Sequence, residues 1–315
     1  MNPAFSVIFF TTASGAGYGL LAFLGAGSYF AFLPSHKTLI IVAIVVSLCL
    51  ITGGLLSSTF HLGHPERAWR ALSQWRTSWL SREGVCAILC YIPALVFMYA
   101  SAFFDSSSPL VSFAGLACTF FALITVFTTA MIYASLRSIR AWNNRWVPVN
   151  YLLFSLTTGG LMLNAFFAWF DLSFPPLAIA TIGLFTISSI TKLCYWRFID
   201  NGESATTAAS AIGVAQTSQV KQTQAPHTET NYLQQEMGFQ VARKHAQKLR
   251  RIALMAAFVI PAILLATMLL GNSTVSIVSS TLAVLIGGAG ILVERWLFFA
   301  EARHTVGLYY GADSA

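Results

Sequence analysis

Eight long apolar segments dominate this 315-residue chain and decide what it can fold into. A helix needs roughly 20 apolar residues to cross a bilayer, and every segment is about that long or longer. Only 9% of the residues are charged, against about a quarter in a soluble domain, so lipid is the expected solvent. In lipid the backbone must satisfy its own hydrogen bonds, which favours helices, and the alternating ten-residue strands of a membrane barrel are absent from the sequence. The sequence therefore predicts an all-α polytopic membrane protein, a bundle of eight transmembrane helices. The predicted spans are Phe5–Leu33, Thr38–Phe60, Glu83–Phe104, Leu110–Ala134, Val149–Phe170, Leu177–Phe198, Ile252–Leu270 and Val275–Ala300.

The net charge of +7 is distributed unevenly between the two sides of such a bundle. With eight spans, both termini share a side with the loops after spans two, four and six. That side holds Arg67, Arg70, Arg76, Arg82, Arg137, Arg140, Arg145, the basic residues from Lys192 to Arg251, Arg295 and Arg303. The opposite side holds Lys37. Basic loops stay in the cytoplasm, so both termini are predicted to be cytoplasmic, and the positive charge indicates topology and the lipid bilayer as a partner. No nucleic acid is expected to bind.

The chain is predicted to have three parts. Residues 1–198 form spans one to six, with an interfacial segment at 61–82; residues 199–235 form a flexible cytoplasmic linker rich in Ser, Thr, Ala and Gln; residues 236–315 hold a basic cytoplasmic helix, spans seven and eight and the tail. The basic helix, Glu236–Arg251, lies under lipid head groups or docks a cytoplasmic partner. The five cysteines have no accompanying ligands, so they are interpreted as packing residues. Neither a metal nor an iron–sulfur cluster is expected on this chain.

The segment between spans two and three combines aromatic and ionisable residues. Pro65 suits the first position of a helix, and Ala68, Leu72, Trp75 and Trp79 recur on one helical face. Trp and Arg favour the membrane interface. The segment is therefore predicted to be a helix lying along the inner surface.

Three ionisable residues near this segment need a further explanation. His61 ends span two, Arg67 follows it, and Glu83 opens span three behind Ser81, a candidate N-cap. Glu83 either stabilises the helix N-terminus or belongs to a site, and His61 is either an interfacial imidazole or a ligand. Ionisable groups at membrane depth indicate a functional site. A hydrogen-bond donor, a proton acceptor and an apolar slot at the bilayer edge suit a quinone.

Two stretches also resemble a known family. "HLGHPERAW" followed by "SWLSREG" (His61–Gly84), and "ERWLFFAEARHTVG" (Glu294–Gly307), resemble the membrane anchor subunits of dimethyl-sulfoxide-reductase-type complexes. The resemblance implies a bacterial cytoplasmic (inner) membrane protein with two partners. A molybdopterin subunit would perform the oxygen-atom chemistry, and a four-cluster iron–sulfur subunit would pass electrons. The anchor would exchange those electrons with ubiquinone or menaquinone.

The same resemblance implies roles for individual residues. His61 would hydrogen-bond the quinone carbonyl, Gly63 and Arg67 would shape the site, and Glu83 would exchange its protons. His64 is a further candidate quinone-binding residue. His64 and Glu66 occupy sequence positions at which other members of the family often have uncharged residues.

The end of span eight supplies further candidates for the same pocket. Arg295 and Glu294 either complete the pocket wall or form a snorkelling ion pair at the interface. Tyr133 and His304 are further candidates for the rim of the site.

The loop before span seven indicates which members of this family the chain resembles. "QEMGFQVARKHAQKLR" (Gln235–Arg250) resembles the anchor of membrane-bound sulfite dehydrogenases, whose partner subunits face the cytoplasm. The basic inner loops agree with that orientation. We therefore expect an anchor that passes electrons from sulfite to quinone. The alternative within the family is the quinol-oxidising anchor of a dimethyl sulfoxide or related reductase.

Other classes of protein stay open at this point. One b-type haem with His61 or His64 as a ligand is an alternative cofactor. A secondary transporter would bury charges at the midplane, whereas the central parts of these spans lack charged residues, and Asn164 is interpreted as a helix–helix contact. A scaffold without a quinone site is a third alternative.

Overall fold

The computed structural model of the protein describes residues 3–34, 36–60, 62–202, 206–215, 220–224, 226 and 244–312. In these ranges the regular structure is helical, without a strand, and eight helices are long and apolar enough to cross a membrane. They are α1 (Phe5–Tyr29), α2 (Lys37–Thr59), α3 (Trp79–Phe103), α4 (Pro109–Ala134), α5 (Trp146–Trp169), α6 (Pro175–Asp200), α7 (Ala246–Leu270) and α8 (Ser273–Ala300). The predicted fold class is confirmed: the chain is a multi-pass membrane protein.

Helices α1 and α5 lie at the centre of the bundle. Their most apolar stretches are 67% buried, against 28–39% in the other six helices. Helix α1 packs against α2, α4 and α5, while α5 also packs against α6 and α8. These two helices have the lowest mean hydropathy of the eight, because helices surrounded by protein can carry Gly, Ser and Thr where lipid-facing helices need larger apolar side chains.

Glycines bring the backbones of neighbouring helices into contact. A Cβ on Gly159 of α5 would overlap the backbone of Gly19 and Leu20 on α1, and a Cβ on Gly25 of α1 would overlap the backbone of Gly115 on α4. The hydroxyl of Ser155 donates to the carbonyl of Gly15 at 2.7 Å across the same α1–α5 crossing. The small-residue patches on α1 and α5 therefore serve close helix approach.

The segment between α2 and α3 is only partly helical. A 3₁₀ helix covers Pro65–Leu72, turns follow, and α3 begins at Trp79, four residues before the predicted start of span three at Glu83. The Ser78 hydroxyl caps α3 by accepting from the Ser81 backbone N–H. Ser81, predicted as the N-cap, lies buried in the first turn and donates to the Ala71 carbonyl instead. Trp75 and Trp79 consequently do not share one helix.

Helix α7 contains a wide turn in its first half. Residues Met255–Val259 adopt π-helical geometry, and Gly290 of α8 approaches the backbone of Ala256 and Ala257 there. The first part of the predicted basic helix, 236–243, lies outside the described residues. Ala246–Arg251 begins α7, as predicted. In the described part of the linker, Thr207 caps a single helical turn at Ala208–Ala211.

Candidate functional site

The structure separates the predicted site residues into an exposed group and a buried group. Gly63, His64 and Arg67 are exposed in the segment between α2 and α3, whereas Glu83 and Arg295 lie inside the bundle. His61 lies outside the described residues. The half-buried His304 accepts from the backbone N–H of Val306 through Nδ1 at 3.0 Å, so one ring nitrogen is engaged by its own turn.

The exposed group is organised around Glu66. Its Oε1 lies 3.1 Å from Nδ1 of His64 and 3.6 Å from Nε of Arg67. These side chains are 57–67% exposed, so ion pairing contributes little to their stability. They are available to a ligand or a partner subunit.

Glu83 occupies the second turn of α3 and points into the protein. It is 5% exposed and accepts a hydrogen bond at 2.5 Å from the Thr129 hydroxyl of α4. The capping interpretation is therefore wrong, because this carboxyl contacts another helix rather than the first backbone N–H groups. Glu83 instead supplies a buried titratable group near the start of α3.

A narrow cleft, with about 10 Å³ of space for a water-sized molecule, lies beside this carboxyl, between α1, α4, α5 and α8. Its walls include Thr12, Tyr18, Thr129, Tyr151 and Arg295. Among the described residues, no hydrogen-bond partner reaches the hydroxyls of Thr12, Tyr18 and Tyr151 or the Nε–H of Arg295. Buried polar groups are normally satisfied, so this concentration of free donors marks the cleft as chemically distinct.

Arg295 is held inside the bundle by aromatic rings. Its guanidinium carbon lies 3.7 Å from the centre of the Tyr151 ring and 5.3 Å from that of Phe154. Tyr133 stacks on Tyr151 with ring centres 5.9 Å apart. The snorkelling interpretation of Arg295 is wrong, because the residue is 3% exposed and faces the interior.

A second buried charge pair adjoins Arg295. Lys192 of α6 bonds to the Oε1 of Glu294 on α8, and both residues are at most 1% exposed. The Oε2 of Glu294 lies 3.7 Å from Nη1 of Arg295. Sequence reasoning missed this pair, since it treated Lys192 as part of the basic inner side. The sequence did contain a signal for burial: Lys192 lies about two helical turns before the end of α6, which places it within the span.

Further charged residues lie towards the ends of α6 and α8. Arg250 bonds to Asp200 at 2.6 Å and to Glu301 at 2.8 Å. Burial raises the pKa of Glu301, and the hydrogen bond from Arg250 acts in the opposite direction. The Asp200 side chain is 53% exposed, so the row of charged groups ends in water.

The described residues contain no group of three or more His, Cys, Asp or Glu side chains that could hold a metal ion. The chemistry available in this interior is hydrogen bonding and proton exchange: a carboxyl at Glu83, free hydroxyl donors in the cleft, and a guanidinium that stays protonated.

Comparison with known proteins places the whole chain in one family. The profile of the family described as DMSO reductase anchor subunit (DmsC) matches residues 1–311. One subunit of the sulfite dehydrogenase from Allochromatium vinosum is 35% identical to this chain, over 98% of the chain and 99% of that protein. Both matches cover nearly the full length, including all eight membrane helices. The chain therefore belongs to the DMSO reductase anchor subunit family.

Proposed function

We propose that this protein is the membrane anchor and quinone-binding subunit of a bacterial molybdopterin and iron–sulfur oxidoreductase, and that it passes electrons from sulfite oxidation to the quinone pool. The observation that carries the proposal is the end-to-end similarity to a subunit of a sulfite dehydrogenase. The molybdopterin subunit and the four-cluster iron–sulfur subunit dock on the cytoplasmic face of the inner membrane. The basic inner surface, with its exposed Trp69 and Trp75, supports that side for docking.

The geometry next to Glu83 suits a quinone head group. Ser81 and Gly84 of α3 contact Ala71 and Leu72, so the Pro65–Leu72 segment lies against the start of α3. This contact brings the exposed loop close to the helix that carries the buried carboxyl. When bound, a quinone supplies a two-electron, two-proton acceptor with two carbonyl oxygens.

The residues of this chain have defined roles in the proposal. His61 donates a hydrogen bond to one carbonyl oxygen, and Gly63, His64 and Arg67 shape the head-group site. Glu83 exchanges protons with the bound head group, because it is the titratable group in the interior next to this loop. Tyr133 and Arg295 form the inner wall behind Glu83, and His304 lies at the rim.

The test uses the complete complex, purified through this subunit. We expect sulfite-dependent quinone reduction by the wild type. Glu83→Gln and His61→Ala are expected to lower it about 100-fold, as for loss of a proton-transfer group. Sulfite oxidation with a soluble artificial acceptor should stay unchanged. Asp105→Asn makes the same chemical change as Glu83→Gln in the exposed loop after α3 and should have no effect. If both site variants assemble into complexes and keep full quinone activity, the proposed quinone site is wrong. The protein would then act only as a scaffold for its partner subunits.

The family match also supports a second direction of electron flow, since its description names a DMSO reductase anchor. In that case the complex would oxidise quinol and reduce dimethyl sulfoxide or a related oxide. Assaying the same preparation with quinol and dimethyl sulfoxide separates the two directions.

A further inference from the structure

The hydroxyl of Thr129 on α4 lies between two acceptors. Thr129 is 6% exposed, and its Oγ1 lies 2.5 Å from Oε1 of Glu83 and 3.0 Å from the backbone carbonyl oxygen of Thr125. We propose that Thr129 is a positioning residue that turns its single hydroxyl hydrogen between these two acceptors, so that Glu83 can gain and lose a proton without moving. This inference rests on the proposed function, in which Glu83 exchanges protons with the quinone. It adds the residue that holds the carboxyl in place during that exchange.

Glu83 depends on Thr129 because its other surroundings offer the carboxyl no partner. In the described part of the chain, the Thr129 hydroxyl is the group that hydrogen-bonds the Glu83 side chain, and no Lys, Arg or His forms an ion pair with it. A buried carboxylate needs a hydrogen-bond donor, and a buried carboxylic acid needs an acceptor for its O–H group. Both requirements therefore fall on the oxygen of Thr129.

The geometry around Thr129 allows one hydroxyl to meet both requirements. A threonine hydroxyl has one hydrogen to donate and lone pairs that accept. When Glu83 is ionised, Thr129 donates to the carboxylate. When Glu83 is protonated, the O–H group of the acid donates to Oγ1, and the hydrogen of Thr129 turns to the carbonyl of Thr125. Threonines in helices commonly bond to the carbonyl four residues earlier, so both arrangements are ordinary ones.

The exchange is balanced in atoms and charge. One proton leaves the Glu83 carboxyl for the head-group site, and one proton from the aqueous phase later replaces it. The O–H bond of Thr129 is not broken, because its hydrogen only rotates about the bond between Cβ and Oγ1. Thr129 therefore does not carry the proton; it keeps the carboxyl hydrogen-bonded in both protonation states.

The test compares variants of Thr129 in the full complex. Thr129→Val keeps the shape of the side chain and removes the hydroxyl, whereas Thr129→Ser keeps the hydroxyl. We expect kcat for sulfite-dependent quinone reduction to fall about tenfold in Thr129→Val, with KM for quinone unchanged, and to stay within about twofold of the wild type in Thr129→Ser. Sulfite oxidation with a soluble acceptor should be unaffected.

Thr128→Val is the matched control. Thr128 is 4% exposed, and its hydroxyl donates to the carbonyl of Thr125 at 2.8 Å. Within the described ranges it has no hydrogen bond to another helix. The control thus removes a buried hydroxyl from the neighbouring position without touching Glu83, and it should keep the wild-type kcat.

A second measurement observes the hydrogen bond without quinone turnover. The C=O stretching band of protonated Glu83 can be assigned in infrared difference spectra between acidic and neutral pH, because Glu83→Gln lacks it. We expect the band to move to higher frequency in Thr129→Val and to stay in place in Thr129→Ser. Tyr18, Tyr133 and Tyr151, the titratable tyrosines whose charge interacts with that of Glu83, have no C=O group and do not contribute. If Thr129→Val does not assemble, a wild-type band at the frequency of a carboxyl without hydrogen bonds would overturn the inference.

The outcomes separate this inference from the proposed function. A wild-type complex that does not react with quinone, or a Glu83→Gln complex with full activity, would overturn proton exchange at Glu83 and this inference with it. If Glu83→Gln loses quinone activity while Thr129→Val keeps the wild-type kcat and carboxyl band, the role of Thr129 is wrong and the quinone site stands. An equal loss of kcat in Thr129→Ser and Thr129→Val would also contradict the inference, because the hydroxyl would then not be the important group.

Discussion

The pair of Lys192 and Glu294 joins α6 to α8 at a depth where the protein excludes water. Lys192 lies about 12 Å inside the end of α6, given the rise of a helix. The ammonium also lies 4.1 Å from the centre of the Tyr195 ring and 5.0 Å from that of Trp196. A buried charge without its partner costs several kcal/mol. Each residue of the pair therefore stabilises the fold mainly by compensating the buried charge of the other.

Removing one partner should destabilise the protein more than removing both. We expect Lys192→Met to cost about 3 kcal/mol in free energy of unfolding, because Glu294 keeps its charge in the interior. The double variant Lys192→Met with Glu294→Leu should recover part of that loss, because it removes both charges of the pair but also takes the nearby carboxylate away from Arg295. Thermal unfolding of the purified protein in detergent measures the difference. Additive losses in the double variant would show that the two side chains are not energetically coupled.

At the level of helices, the α1–α5 contact organises the bundle. Gly19 and Gly159 allow the two backbones to touch, and Ser155 adds a hydrogen bond across the crossing. Asn164 of α5 donates to the Thr181 hydroxyl of α6 at 3.0 Å, so it holds the next helix in the same way. Small and polar residues thus replace large apolar ones where helices meet helices.

Gly159→Ala should disturb this contact. The added methyl group would overlap the backbone of α1, and we expect a loss of about 1–3 kcal/mol of stability with a lower unfolding temperature. Gly183→Ala on α6 is the control, since no atom lies within 4 Å of the new Cβ there. It should leave the unfolding temperature unchanged or slightly raise it. An equal loss in both variants would contradict the packing explanation, because a Cβ on Gly183 has no atom to overlap.

The sequence predicts every end of the eight helices to within about six residues, and the start of α3 differs by four. Helix length in a membrane follows directly from apolar length, which needs no knowledge of neighbours. The start of α3 depends on Ser78 and Arg82. Arg82 donates hydrogen bonds to the carbonyls of Trp75 and Arg76, and a periodic pattern of apolar residues does not predict such contacts. The sequence indicated which kinds of residue form the site, but not which of them lie next to each other in the fold. Glu83 meets Thr129 and Lys192 meets Glu294 across long sequence separations, and only tertiary packing joins them.

Over the whole molecule, charge is arranged by depth and by side. The buried charged residues in the described part of the chain are Glu83, Lys192, Glu294 and Arg295. All four lie on the half of the bundle that includes the ends of α6 and α8 and the start of α3. The opposite ends carry exposed residues such as Lys37 and Asp105. The two ends of the helix bundle therefore differ in charge in the protein interior as well as in the loops.

The orientation predicted from the basic loops can be measured directly. Gln74→Cys and Ser107→Cys place a thiol at exposed positions on opposite sides. In intact spheroplasts, a membrane-impermeant maleimide should label Ser107→Cys and leave Gln74→Cys unmodified. Inverted vesicles should give the reverse pattern. The opposite result would place the basic loops outside and the partner subunits with them.

The one-sided distribution of buried charge has a bioenergetic consequence. Protons and electrons would both arrive at Glu83 from the cytoplasmic side, so no net charge crosses the bilayer during turnover. We expect proteoliposomes containing the complex to reduce quinone without developing a membrane potential detectable by a voltage-sensitive dye. Such an enzyme would conserve energy only through the quinol it releases, which downstream respiratory complexes then oxidise.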